Sequence, residues 1–183
     1  MLLRVINCNK KIIWITGLSG SGKTTLGKSL KDYFINQHKK DPSKILHIDG
    51  DELRKKRPDL TFSKEDRYSN VFHALFKCYN HLNLCNGEMC IVSLITPLVD
   101  MRKQVKRLIK NYIKADYTQV YMDIDLSICE KRDPKGLYKK VRNGEIKNFT
   151  GIDSPYEIPA SPDVIISHFM SIEDSIKEVI EVL

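Results

Sequence analysis

Apolar residues along this chain fall into two alternating patterns, short β-rich runs and longer stretches with helical spacing. Residues 11–16 predict a strand, and residues 23 to about 37 predict a helix with Leu26, Leu30, Phe34 and Ile35 on its inner face. Residues 44–48 predict a second strand. Ser63, with Asp66 three residues later, has the form of an N-cap and opens a long helix toward Leu84. A strand over 89–95, a helix from about 99 to 112, a strand over 117–124 and a short helix over 126–131 follow. From 133 to 162 prolines and glycines thicken and no clean period survives, which predicts a long functional loop with room for one helical turn. Residues 163–167 and 171–182 predict the last strand and the last helix.

Strands alternating with helices imply an α/β fold, a parallel sheet covered on both faces, with ligands held outside the carboxyl ends of the strands. With 183 residues, 42% of them hydrophobic, the chain suits one domain with a sizeable core, and it shows neither an internal repeat nor a linker. No apolar run reaches the roughly 18 residues that cross a bilayer, so no membrane partner and a cytoplasmic location are expected. The five cysteines, Cys8, Cys78, Cys85, Cys90 and Cys129, include no C-x-x-C pair and read as reduced packing residues. The net charge of +7 suits either nucleic acid or a small polyanion. Most cations of the run Arg54–Arg57 and of residues 102–110 read as solvated faces, so a small anionic ligand is preferred to nucleic acid.

One segment sharpens the picture. Gly17-Leu18-Ser19-Gly20-Ser21-Gly22-Lys23-Thr24 fits G-x-x-x-x-G-K-[ST], with a strand predicted before it and a helix after it. Glycines let the backbone wrap an oligophosphate with its N–H groups pointing inward, at the positive end of a helix. Lys23 can reach the β and γ phosphates, and the Thr24 hydroxyl can ligate a magnesium ion bridging them. An ordinary glycine turn explains neither residue. The second strand ends in His47-Ile48-Asp49-Gly50-Asp51, two carboxylates beside the cradle. One can serve a metal-bound water and the other can accept a proton. On spacing alone, an N-cap at Asp51 is as good a reading.

The blocks WITGLSGSGKTTL, HIDGDELR, DLTFSKEDRYSN and CEKRDPKGLYKKVRNGEIKNFTGIDSPYE, in this order, resemble the adenylylsulfate kinase family from about Trp14 to Ile166. The last block is nearly diagnostic. The resemblance implies a three-layer P-loop kinase fold, one domain over 1–183 and a mobile lid over about 133–160. It also implies transfer of the γ-phosphoryl of ATP, with Mg2+, to the 3′-hydroxyl of adenosine 5′-phosphosulfate. It assigns ATP to Gly17, Leu18, Ser19, Gly20, Ser21, Gly22, Lys23, Thr24, Thr25 and Arg132, and the metal to Thr24 and Asp49. Lys23 and Asp51 become catalytic, Asp51 as the base. The acceptor falls to Asp51, Arg54, Phe62, Arg67, Asn70, Lys147, Phe149 and Gly151, with Phe62 and Phe149 sandwiching its adenine. Partners are small nucleotides, and a homodimer stays open.

Departures from the family pattern stand after the third strand, where Thr96-Pro97-Leu98-Val99 replaces Ser-Pro-Tyr-Arg. Thr96 takes the position of a serine given a phospho-intermediate role, while a second arginine of the pattern survives as Arg102. Phe72 and His73 replace a basic pair. Three readings follow: the kinase itself, a same-fold kinase for another nucleotide with an anionic or phosphoramidate-like tail, and a non-catalytic nucleotide-binding protein. The presence of Lys23, Thr24, Asp51 and both phenylalanines argues against the third.

Overall fold

The structure, a computed structural model, describes residues 10–183, and the packing role expected of Cys8 lies outside them. Strand β1 (Lys11–Thr16) has Ile12, Ile13, Trp14 and Ile15 fully buried. Successive side chains of a strand point to opposite faces, so such a run is apolar throughout only where both faces are covered. Ile13 and Ile15 enter one core, and Ile12 and Trp14 enter the other.

The chain continues through α1 (Lys23–Asn36), β2 (Ile45–Asp49), α2 (Gly50–Lys55), α3 (Lys64–Tyr79), β3 (Met89–Ser93) and α4 (Val99–Leu108). Then come β4 (Asp116–Asp123), α5 (Leu126–Arg132), α6 (Leu137–Arg142), β5 (Val164–Ser167) and α7 (Ile172–Glu181). The five strands are parallel in the order β2-β3-β1-β4-β5, with Ile13 level with Ile91 on one side and Thr118 on the other. Leu26, Leu30 and Phe34 of α1 and Val179 of α7 fill the first core. Val71, Ala74, Leu75 and Cys78 of α3 and Met101 and Val105 of α4 fill the second. The three-layer α/β arrangement expected from the pattern is therefore present.

Several boundaries differ for physical reasons. β2 begins and ends one residue later than expected, because Lys44 closes a 3-10 turn over Pro42–Lys44. β3 stops at Ser93, since Thr96 turns the backbone to φ +43°. α3 and α4 both end in a widened turn, closed by Cys85 N–H to Asn80 O at 2.9 Å and by Lys114 N–H to Ile109 O at 2.8 Å. Such turns keep the apolar spacing of a helix, so periodicity does not mark them. Ser63 caps α3 as expected, accepting from Asp66 N–H at 3.1 Å. α2 was not foreseen, being only six residues long, and its cap is Asp49 rather than Asp51. Asp49 Oδ1 accepts from Asp51 N–H at 2.9 Å and from Glu52 N–H at 3.2 Å.

Residues 133–162 are more ordered than a glycine-rich loop. They carry α6, whose Tyr138 and Val141 are buried, and they bury Phe149 to 1% exposure in the first core. Cys78, Cys90 and Cys129 are buried packing residues, but Cys85 is exposed at the end of the widened turn and packs nothing. Among the described residues no helix is long and apolar enough to cross a membrane.

Candidate active site

A cleft of about 840 Å³ opens at the carboxyl ends of the strands. Its base is the turn from β1 to α1. Gly20 has φ +75°, and a Cβ there would lie 2.8 Å from the Cys129 carbonyl oxygen, so a side chain is excluded by conformation and by space. Gly17, at φ +147°, meets Met122 Cβ in the same way. α1 begins after Gly22 with no side-chain cap and no acidic residue in its first turn. Its first N–H groups are left for an anion, with the positive end of the helix behind them.

Lys23 is 9% exposed, and its Nζ donates to the Leu18 carbonyl at 2.5 Å. Burial lowers its pKa to about 8, against the pull of the Asp51 carboxylate. Thr24 Oγ1 donates to Asp49 Oδ2 at 2.5 Å. Burial alone would raise Asp49, but hydrogen bonds from Thr24 and from the Glu52 and Asp51 N–H groups hold its carboxyl below the usual range. A hydroxyl and an ionised carboxylate side by side form a hard-oxygen pair suited to magnesium.

Opposite the cradle, Asp51 Oδ2 is paired with Lys135 of the 133–162 segment. Arg54 Nη1 donates to the Leu60 and Thr61 carbonyls at 3.1 and 2.6 Å, with its guanidinium 4.8 Å above the Phe62 ring. Arg67 donates to Phe62 O at 3.0 Å, and also to the Asn148 carbonyl and the Thr150 hydroxyl. Burial depresses both guanidinium pKa values, though both remain charged. Asn70 is buried, and its Oδ1 has no hydrogen-bond partner. Phe62 and Phe149 meet edge to face at 5.7 Å.

The structure brings Ser19 through Thr25, Asp51, Arg54, Phe62, Arg67, Asn70, Thr96, Arg132 and Phe149 to one cleft wall or another. Arg132 Nη1 reaches Gly20 O at 3.5 Å. Lys147 instead lines a smaller hollow with Thr61 and Phe62, and Gly151 faces Leu18. Thr96 is 2% exposed, and its Oγ1 accepts from Trp14 Nε1 at 2.8 Å. A β-branched residue with positive φ stores about 1–3 kcal/mol, which the surrounding bonds must hold. Sequence reasoning missed Tyr138, whose hydroxyl donates to Ser19 O at 2.9 Å. It also missed Ser167, His168 and Met170 on the cleft wall. The position of these three at and just beyond the end of β5, at a strand's carboxyl end, was the available signal.

A glycine cradle with a buried lysine, feeding a helix from the central strand of a parallel sheet, defines a P-loop phosphotransferase. Comparison with known proteins narrows this class. Residues 9–167 match the family model described as adenylylsulphate kinase. The adenylyl-sulfate kinase of Clostridium kluyveri is 40% identical over 166 residues, 90% of this chain and 78% of that one. A probable adenylyl-sulfate kinase of Synechocystis is 43% identical over 153 residues, covering 83% and 80%. The Mycobacterium tuberculosis APS kinase CysC, solved with AMPPNP and APS, superposes with a TM-score of 0.81 at 35% identity, covering 95% of this chain and 97% of that one. This chain belongs to the adenylylsulphate kinase family.

Proposed function

We propose that this protein transfers the γ-phosphoryl group of ATP to the 3′-hydroxyl of adenosine 5′-phosphosulfate, releasing ADP and 3′-phosphoadenosine 5′-phosphosulfate. The observation that carries the reading is the single cleft holding an uncapped glycine cradle with Lys23 on one side and Asp51, Arg54 and Arg67 on the other. One wall fits a triphosphate and the other fits an alcohol attached to an anion. The described chain acts as one kinase domain with a lid over about 133–160. Its setting is the cytoplasm, where ATP is available.

In this reading the backbone of residues 17–25 wraps the phosphates, and Lys23 leaves the Leu18 carbonyl for the β and γ oxygens. Arg132 lies against the ATP base. Thr24 and Asp49 would hold Mg2+, which would neutralise phosphate charge during transfer. Asp51, released from Lys135, takes the 3′-hydroxyl proton as the new O–P bond forms and the bond from Pγ to the β-phosphate oxygen breaks. Lys135 is then free to face the phosphates. Arg54 and Arg67 exchange carbonyl partners for the phosphosulfate, and Asn70 gains a partner for its buried Oδ1. A base between two rings needs about 7 Å, twice a carbon contact distance, so half-exposed Phe62 must swing away from Phe149 to admit it. Lys147 and Gly151 contribute through movement of the lid.

Transfer is direct and in line. The Thr96 hydroxyl is buried and accepts from the Trp14 indole N–H, and in-line transfer needs no covalent intermediate, so none is assigned to it. The test is ADP release measured with adenosine 5′-phosphosulfate and with a panel of nucleotides bearing other 5′ anionic or phosphoramidate tails. Release with adenosine 5′-phosphosulfate should exceed the rate without acceptor by several orders of magnitude. Faster turnover with another acceptor would reassign the substrate, and no acceptor-dependent release would end the kinase reading.

A further inference from the structure

We propose that Arg102 is a positioning residue that fastens the root of the lid to the floor of the acceptor side of the cleft. The inference rests on the function proposed above. Arg102 belongs to α4 yet is only 5% exposed. Its Nη1 donates to the carbonyls of Thr96 and Pro97 at 2.9 and 3.0 Å, and its Nη2 donates to the Glu157 carbonyl at 2.5 Å. The guanidinium also lies 5.8 Å from the centroid of the Tyr156 ring. A buried cation spent on three backbone carbonyls is costly to maintain, and the spread, planar donors of arginine suit carbonyls that come from two segments better than the compact ammonium of lysine does.

Those segments are the two that matter for an acceptor. Thr96 and Pro97 line the cleft, and Thr96 holds a left-handed backbone that the Trp14 and Arg102 bonds clamp from its two sides. Tyr156 and Glu157 are where the lid returns to the sheet. Three further contacts tie that return: Glu157 N–H to Pro97 O at 2.9 Å, Val99 N–H to Glu157 Oε2 at 2.5 Å, and the Tyr156 hydroxyl to Thr16 Oγ1 at 2.9 Å. Tyr156 also stacks on Tyr121 with an interplanar angle of 14°. Six to eight residues before Tyr156, Thr150 and Asn148 meet Arg67 and Phe149 meets Phe62. The tip of the lid thus lies over the acceptor wall at a height set by its root, and Arg102 ties root and floor into one body. The charge left at this turn, where Val99 stands without an arginine, is used inside the protein and not on the ligand.

The test compares wild type with Arg102→Lys, Arg102→Met and Tyr156→Phe by steady-state kinetics, ATP affinity, thermal unfolding and tryptic cleavage within the lid. Arg102→Met should raise acceptor KM and lower kcat, together costing roughly a hundredfold in kcat/KM for a wall displaced by about an ångström. ATP affinity should stay within about twofold, lid cleavage should quicken, and lysine should restore part of the loss. Tyr156→Phe, which keeps the ring and drops one bond, should move the same quantities in the same direction by less. If Arg102→Met does not fold, the lysine and Tyr156→Phe variants carry the test. A lower melting temperature with unchanged KM, kcat and lid cleavage overturns the proposal, as does an equal loss of ATP and acceptor affinity. Faster lid cleavage in variants of a wild type that does not phosphorylate adenosine 5′-phosphosulfate would leave the clamp standing and sink the substrate assignment instead.

Discussion

Lys23 is expected to take up a proton when ATP binds. Its pKa in the ligand-free protein is about 8, against 10.5 for a solvated lysine, because burial disfavours the ammonium and the Asp51 carboxylate compensates only in part. The difference corresponds to about 3 kcal/mol stored against the charged form. A triphosphate in the cradle supplies the missing negative charge and returns the pKa toward or above the ordinary value. At pH 7 the site is already about nine-tenths protonated and little uptake follows; at pH 8 about half a proton and at pH 9 about nine-tenths of a proton enter with each ATP. ATP affinity should accordingly fall about tenfold from pH 7 to pH 9 through this group. The assay is titration calorimetry in pairs of buffers with different ionisation enthalpies, for wild type and Lys23→Met. Without ligand, folding has the opposite pH dependence: between pH 8 and 10.5 the unfolded chain binds the extra proton, so folding stability rises with pH across that window and the cost is fully present below it. Bound nucleotide should flatten that rise. Buffer-independent binding enthalpies at pH 8 to 9, or an uptake that survives in Lys23→Met, would refute the argument.

Asp51→Asn should retain ATP binding and lose roughly a hundredfold or more in turnover, since the amide cannot take the acceptor's proton; collapse of ATP affinity would move Asp51 to the metal shell. Phe149→Ala should weaken acceptor binding by about 1–3 kcal/mol while sparing ATP. Because Phe149 is 1% exposed in the first core, the variant should also lose about 3–5 kcal/mol of stability, so affinities are to be measured well below its melting temperature. Gly27 sits in mid-helix, where alanine ordinarily gains up to about 1 kcal/mol. Here a Cβ would lie 2.6 Å from Ser93 Oγ and against the His47 ring, so Gly27→Ala should instead destabilise by about 1–3 kcal/mol in urea unfolding.

Reading the chain alone located the cradle, the alternation that makes a parallel sheet, and the N-cap at Ser63, because each depends on neighbours within a few residues. Backbone conformation at glycines, helix entry after Gly22 and strand burial in Ile12 to Ile15 are local or periodic properties, and local sequence carries them. The ends of elements were less legible. A six-residue helix has no period to display, and a widened turn preserves the apolar spacing that would otherwise reveal it. Assignments that join distant residues were settled only by the tertiary structure. Asp49 and Asp51 are equivalent on spacing, yet the sheet places Asp49 under Thr24 as a cap and leaves Asp51 facing Lys135, 84 residues away in the chain. Arg102 stands out in the sequence as a surviving arginine of the family pattern, but nothing within five residues shows that its face turns inward to meet Tyr156 and Glu157. Burial and electrostatic pairing are sums over everything within a few ångströms, most of it brought there by other strands, and a linear pattern contains only the part its own segment contributes.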